Sequence, residues 1–171
     1  SLTSIDLPDG LESLGNTAFS GCISLKSIDL PEGVTSIGNR AFSSCKSLTS
    51  IDLPEGVTSI DEYAFYNCTS LKSITLPEGL KSIGIGAFRE CPSLTSIDLP
   101  AGGTSIGGIA FNSCSALTTV TCQATVVPGL GENAFQTCSK LANIYVPAGS
   151  VDDYKAAANW SAYENIIQAI Q

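Results

Sequence analysis

The sequence predicts an α/β repeat solenoid: a right-handed coil with a short parallel strand, a second short extended segment and a short helical turn in each rung, closed by a C-terminal helical cap. Three observations predict it. The run Leu2-Thr-Ser-Ile-Asp-Leu-Pro8 returns 23 residues later as Leu25-Lys-Ser-Ile-Asp-Leu-Pro31, then from Leu48, Leu71 and Leu94, and in decayed form from Leu117 and Leu141. Inside each copy an Ala-Phe pair and a cysteine hold nearly constant offsets, as in Ala64, Phe65 and Cys68. Beyond Gly149 the repeat gives way to helix-start signals. A unit this short cannot bury its apolar side alone, so the copies must stack.

A period in the twenties with Leu-x-x-Ile-x-Leu marks a leucine-rich-repeat coil. The rung from Leu48 shows how its residues divide. Leu48, Ile51 and Leu53 form the apolar side of a strand, with Asp52 facing outward. Pro54 has no N–H to donate and stops the ladder. With Glu55 and Gly56 it suits a type I turn in which proline stands second and glycine fourth. Val57 and Ile60 turn inward from a second extended run. The next position is Gly15, Gly38, Gly84 or Gly107 in other rungs and Asp61 here, a set that suits positive φ. Ala64, Phe65 and Cys68 have helical spacing and predict one helical or 3₁₀ turn. Stacked rungs place equivalent residues ~4.8 Å apart. Phe19, Phe42, Phe65, Phe88, Phe111 and Phe135 then form an aromatic spine in the core.

The same stacking lines up Cys22, Cys45, Cys68, Cys91, Cys114 and Cys138. Bridges between rungs or a metal site are the functional alternatives. An identical apolar slot in every rung favours buried free thiols acting as small hydrophobes. The chain has no His and no Cys-x-x-Cys pair, so zinc is not expected. Cys122 takes the place of Leu30 and Leu53 and should point inward. Gly103 replaces an inward Val or Leu and leaves a gap in the fifth rung. The sixth rung, Cys122 to Pro128, loses the proline after the strand and gains a residue.

Residues 1–140 read as six leucine-rich repeats, and 141–171 as a seventh strand with a helical cap. Ser150-Val-Asp-Asp153 has the form of a capping box opening a helix over 151–158. Ser161-Ala-Tyr-Glu164 repeats it and opens a second helix through 170. Tyr154, Trp160, Tyr163, Ile166 and Ile170 supply apolar cover. No such cover stands at Leu2, whose strand edge is open to pairing. Ser1, directly before a strand core, reads as the start of an excised fragment.

Lys and Arg number 8 against 16 Asp and Glu, a net charge of −8. That balance argues against nucleic acid and anionic membrane as partners. No stretch approaches the ~20 apolar residues that cross a bilayer. No cofactor is expected.

The rung Leu-x-x-Ile-x-Leu-Pro-x-Gly-Val-x-x-Ile-Gly-x-x-Ala-Phe-x-x-Cys resembles the BspA-type leucine-rich-repeat family over residues 2–140. The tail with Tyr145, Trp160 and Tyr163 is similar to terminal units of such proteins from gut and oral anaerobic bacteria. The resemblance implies a secreted or surface-attached protein that adheres to host matrix proteins such as fibronectin and fibrinogen, or to other bacteria. It carries over no catalytic or ligand-binding residues.

Two exposed surfaces could hold function. On the strand face Asp6, Asp29, Asp52 and Asp98 form an acidic strip beside Asp9, Glu32, Glu55 and Glu78. Neighbouring carboxylates repel, and a cation or basic ligand would relieve that. The linear array has no loop to wrap calcium, so solvent and diagonal pairing with Lys26 and Lys72 are the expected relief. The second surface carries positions fifteen, sixteen, nineteen and twenty, counted from the leucine that opens each rung, and these vary most between rungs. There Arg40, Tyr63, Tyr66 and Arg89 lie in adjacent rungs, and Tyr and Arg dominate binding hot spots. The bland alternative is a solvated edge under relaxed selection.

A stack of strands gives a long, rigid, shallow surface suited to protein contact. The expected function is therefore non-enzymatic protein recognition or adhesion at the cell surface or in secreted form. A passive stalk or spacer within a larger surface protein is the alternative. Without His, a Ser-His or Cys-His nucleophile pair is impossible. Asp29 and Asp52 could approach the ~5 Å carboxylate separation of retaining glycosidases, but on an open face.

Overall fold

The computed structural model describes residues 2–103 and 105–171; Ser1 lies outside them. The chain winds into stacked coils with two ladders of parallel strands. One ladder comes from the second extended run of each rung. It joins β1 (Ser36–Ile37), β3 (Ser59–Ile60), β5 (Ser82–Ile83), β7 (Ser105–Ile106) and β9 (Gly129–Leu130) in that order. Leu14 bridges to Ile37 and brings in the first coil. Registers pair Ile37 with Ile60, Ile60 with Ile83 and Ile83 with Ile106, so the sequence repeat becomes a spatial one.

The other ladder comes from the Leu-x-x-Ile-x-Leu runs and forms in two parts. β2 (Ser50–Asp52) pairs with β4 (Ser73–Thr75). β6 (Ser96–Leu99), β8 (Thr119–Cys122), β10 (Asn143–Val146) and β11 (Ile167–Ala169) make a second sheet. Among the described residues the first two coils form no strand here, although one is expected in every rung. Asp6, Asp29 and Asp52 follow one another on coils one to three, and like charges directly opposite destabilise a strand pair. Where Thr75 interrupts the column, pairing forms, and its Oγ1 donates to Asp52 Oδ1 at 2.8 Å.

All eight inward positions of the rung from Leu48 are buried: Leu48, Ile51, Leu53, Val57, Ile60, Ala64, Phe65 and Cys68. The phenylalanine rings stack at 5.2–5.4 Å between centroids from Phe19 to Phe135. All seven cysteines are free thiols, and Cys122 is buried as expected. The column is more than filler. Cys68 Sγ donates to the Phe42 carbonyl at 3.1 Å, and Cys45, Cys91, Cys114 and Cys138 do the same one coil back.

Three local expectations change. The turn after each strand starts at the proline, because the Val57 N–H bonds to the Pro54 carbonyl at 3.0 Å. Proline is therefore first in that turn, not second. The glycines at position fourteen do not have positive φ; they permit close stacking. A Cβ on Gly38 would sit 2.6 Å from the Leu14 carbonyl oxygen, and one on Gly107 2.5 Å from Gly84 carbonyl carbon.

The Ala-Phe segment is a chain of turns rather than a helix. Ala64, Tyr66 and Cys68 bond back three residues, whereas Tyr63, Phe65 and Asn67 donate to Ile85, Ala87 and Arg89 of the next coil at 2.8–2.9 Å. Tyr63 and Asn67 are left-handed, with φ of 55° and 57°, which breaks helical propagation and turns alternate N–H groups outward.

The C-terminal unit begins as expected and ends otherwise. A 3₁₀ turn (Ala148–Ser150) leads into α1 (Val151–Ala156). Ser150 forms no capping bond; its hydroxyl instead donates to the Thr125 carbonyl at 2.9 Å. The second expected helix is a 3₁₀ segment (Trp160–Ile166) followed by β11. The Ile167–Ala169 backbone finds better partners in Ile144, Tyr145 and Val146 than in its own helix, and this places Ile167 inward. Ile170 is 37% exposed and does not cover the core.

The irregular sixth rung is where this unit docks. Trp160 Nε1 donates to Pro128 and the Tyr154 hydroxyl to Ala124, each at 2.8 Å. Trp160 and Tyr163 close the phenylalanine spine at 6.3 and 5.6 Å from Phe135. Without the usual proline, Gln123 also keeps an N–H for Leu99.

Candidate recognition surface

Positions sixteen and twenty of each coil hold the left-handed residues: Thr17, Arg40, Tyr63, Gly86, Ile109 and Asn133, and Gly21, Ser44, Asn67, Glu90, Ser113 and Thr137. All of these residues except Gly86 are exposed or half-buried, so they form an outer edge of the coil. Arg40, Tyr63, Tyr66 and Arg89 all lie on this edge, and the structure brings them together. The Arg40 guanidinium carbon is 4.8 Å from the Tyr63 ring centre, and that of Arg89 is 5.8 Å from Tyr66. The two tyrosines meet edge to face at 5.9 Å. Arg89 Nη2 pairs with Glu90 Oε1 at 3.3 Å. The Tyr66 hydroxyl is pushed above its ordinary range, first by hydrogen bonding to the Glu90 carboxylate, which favours the protonated phenol, and then by partial burial and the Glu90 charge. Not every position is available: Ser43 and Gly86 are buried. Gly86 is small for a reason, because a Cβ there would come within 2.5 Å of Tyr63 Cε1.

The strand-face strip is less organised. Asp6, Asp29, Asp52 and Asp98 are all exposed, and Thr75 separates the last two. No Lys26 or Lys72 ion pair with them forms among the described residues; the Thr75 hydroxyl takes that place for Asp52. A shallow depression between coils two and three is lined by Asp29, Glu32 and Asp52 and lies open to solvent. Among the described residues no group of three or more His, Cys, Asp or Glu side chains is close enough to share a metal ion. Nor does any described helix have the length and apolarity to cross a membrane.

The repeated core, the two ladders and the docked terminal unit invite comparison with known proteins. A family model described as "BspA type Leucine rich repeat region" matches in six copies over residues 1–101 and 58–165. The chain belongs to the BspA-type leucine-rich-repeat family. A leucine-rich-repeat protein of T. pallidum, TpLRR, shares 33% identity at a TM-score of 0.79, over 84% of this chain and 72% of that one. A leucine-rich cell surface protein from Faecalibacterium prausnitzii shares 28% at 0.68, covering 97% of this chain but 51% of the other. The pneumococcal vaccine antigen PcpA has the same fold at 21% identity, with a TM-score of 0.71 over 98% of this chain and 40% of that one. No curated protein matches the chain.

Within this BspA-type frame the sequence located the edge by its variability but missed its backbone conformation. Arg, Tyr, Ile and Thr do not signal left-handed φ. The readable signal was Gly86 and Asn133 in one row, Gly21 and Asn67 in the other.

Proposed function

We propose that the chain is a non-enzymatic recognition module, displayed at the cell surface or secreted, that binds protein through the edge formed by Arg40, Tyr63, Tyr66 and Arg89. One observation carries this reading. The frame repeats almost unchanged, whereas these four variable residues form one connected cluster of ring and guanidinium contacts across three coils. Rigid aromatic and arginine groups in contact are the usual anchors of protein interfaces. The relative named as a cell surface protein supports the location. In this reading the repeats of residues 1–140 are the frame, and 141–171 seal its end.

The test uses fibronectin and fibrinogen, the partners that family resemblance implies. Tyr63→Ala combined with Tyr66→Ala should weaken binding of the chain to immobilised matrix protein at least tenfold, a loss typical of two anchor residues. Its melting temperature should stay within a few degrees, because both side chains lie outside the core. Undiminished binding by the double variant removes this edge from the function.

A further inference from the structure

We infer that the edge takes an acidic protein segment and that the Arg40 guanidinium anchors one of its carboxylates. This deepens the proposed function and rests on it. The chain has two arginines, and both lie on tyrosine rings in this edge. They differ in what else they meet. Arg89 is neutralised from within by Glu90 at 3.3 Å. Arg40 is exposed, and among the described residues its guanidinium has the Tyr63 ring as neighbour but no carboxylate within ion-pair distance. A guanidinium carries five N–H donors in a planar fork that fits a carboxylate two at a time. Stacking fixes the plane of that fork beforehand, so less side-chain freedom is lost when a partner arrives.

The support beneath Arg40 is built across coils. Tyr63 holds the guanidinium on its ring, leans on Gly86 of the following coil and meets Tyr66 edge-on. Arg40 and Tyr63 both sit at left-handed φ, 56° and 55°, where the equivalent residues Gly86 and Asn133 suit the backbone better. The two side chains therefore leave the backbone at the same point in consecutive coils, which sets the guanidinium of one over the ring of the other. The net charge of −8 repels polyanions in general. Binding of an acidic segment therefore needs this one spot, which makes the interaction local and sensitive to single substitutions.

Fluorescence anisotropy with a labelled oligoglutamate peptide tests the inference, with labelled oligothymidylate as contrast. Oligoglutamate should bind at about 0.15 M salt, where long-range repulsion from the net charge of −8 is screened, and weaken about tenfold in Arg40→Gln, as for loss of one charge-assisted contact. Arg40→Lys should weaken it too, because an ammonium keeps the charge but not the fork. Asp52→Asn, on the strand face, should change nothing. Failure of oligoglutamate to bind, or equal binding by Arg40→Gln, overturns the carboxylate anchor. Oligothymidylate binding as tightly as oligoglutamate overturns the acidic-protein assignment in favour of polyanions at large. Matrix-protein binding separates the two readings. If it falls in the tyrosine double variant but not in Arg40→Gln, the edge recognises protein and the acidic anchor is wrong. If neither variant loses binding, the recognition reading itself fails.

Discussion

Ile109 has a φ of 51°, a conformation in which a β-branched side chain crowds its own backbone. The coil imposes this angle at every equivalent position, so the residue bears the strain. Ile109→Gly should raise stability by about 1 kcal/mol, seen as a higher urea midpoint. The thiol column gives a second expectation. Burial pushes the Cys45 and Cys91 thiols from the ordinary 9.0 to about 12. In the unfolded chain they ionise near 9.0, so between that value and about 12 the unfolded state sheds protons that the folded state keeps. Their contribution is complete below pH 9 and is lost as pH rises toward 12; urea midpoints measured across that window should fall, and fall less steeply in Cys45→Ala. Residue types announced the inward set well, since Phe65 or Leu48 has one favourable place in a coil. They were silent on Cys68 Sγ bonding to Phe42, because cysteine reads as a small hydrophobe whether or not its hydrogen finds a carbonyl.

The terminal unit joins the coil through polar atoms as much as through its apolar face. The Tyr154 hydroxyl, with the whole side chain buried, donates to Ala124 at 2.8 Å and lies 3.0 Å from Cys122 Sγ. Tyr154→Phe should cost about 1–3 kcal/mol, because it leaves a buried carbonyl without a donor. Hydrogen exchange at β8 should quicken in that variant. Here the sequence was legible only in outline. Ser150, Asp153 and Tyr154 marked a helix correctly, and Trp160 marked a core anchor. The capping serine was drawn instead to Thr125, and residues 167–169 to the open edge of β10. Both outcomes depend on partners far away in sequence, which local spacing does not encode. The acidic column shows the same limit. Its presence was plain from the repeat, whereas its effect on strand pairing in coils one and two emerges only once Asp29 and Asp52 stand in neighbouring coils.

Across the whole molecule each coil touches only its neighbours, so stability is a chain of local couplings. The phenylalanine spine runs through all of them, but the strand ladder is uneven. Lys26 and Thr49 donate at 3.3 Å and Thr95 at 3.4 Å to the coils before them, while Lys72 and Thr118 donate at 2.9 Å, and described strands of this ladder begin only at β2. Native hydrogen exchange should therefore be fastest in coils one and two and slowest between β8 and β10. Uniform protection along the chain would contradict the pairing described. The turn column has a different consequence. From Thr17 to Ser113, its inter-coil N–H groups all donate in one direction, toward the following coil. Those peptide dipoles add instead of cancelling, as they do in an α-helix. Here the electron-rich pole falls on the first coil, at the carbonyls of Asn16, Ala18 and Ser20. The turn column is thus polar along the coil axis, and an approaching ion or dipole would sense that direction without any side chain taking part.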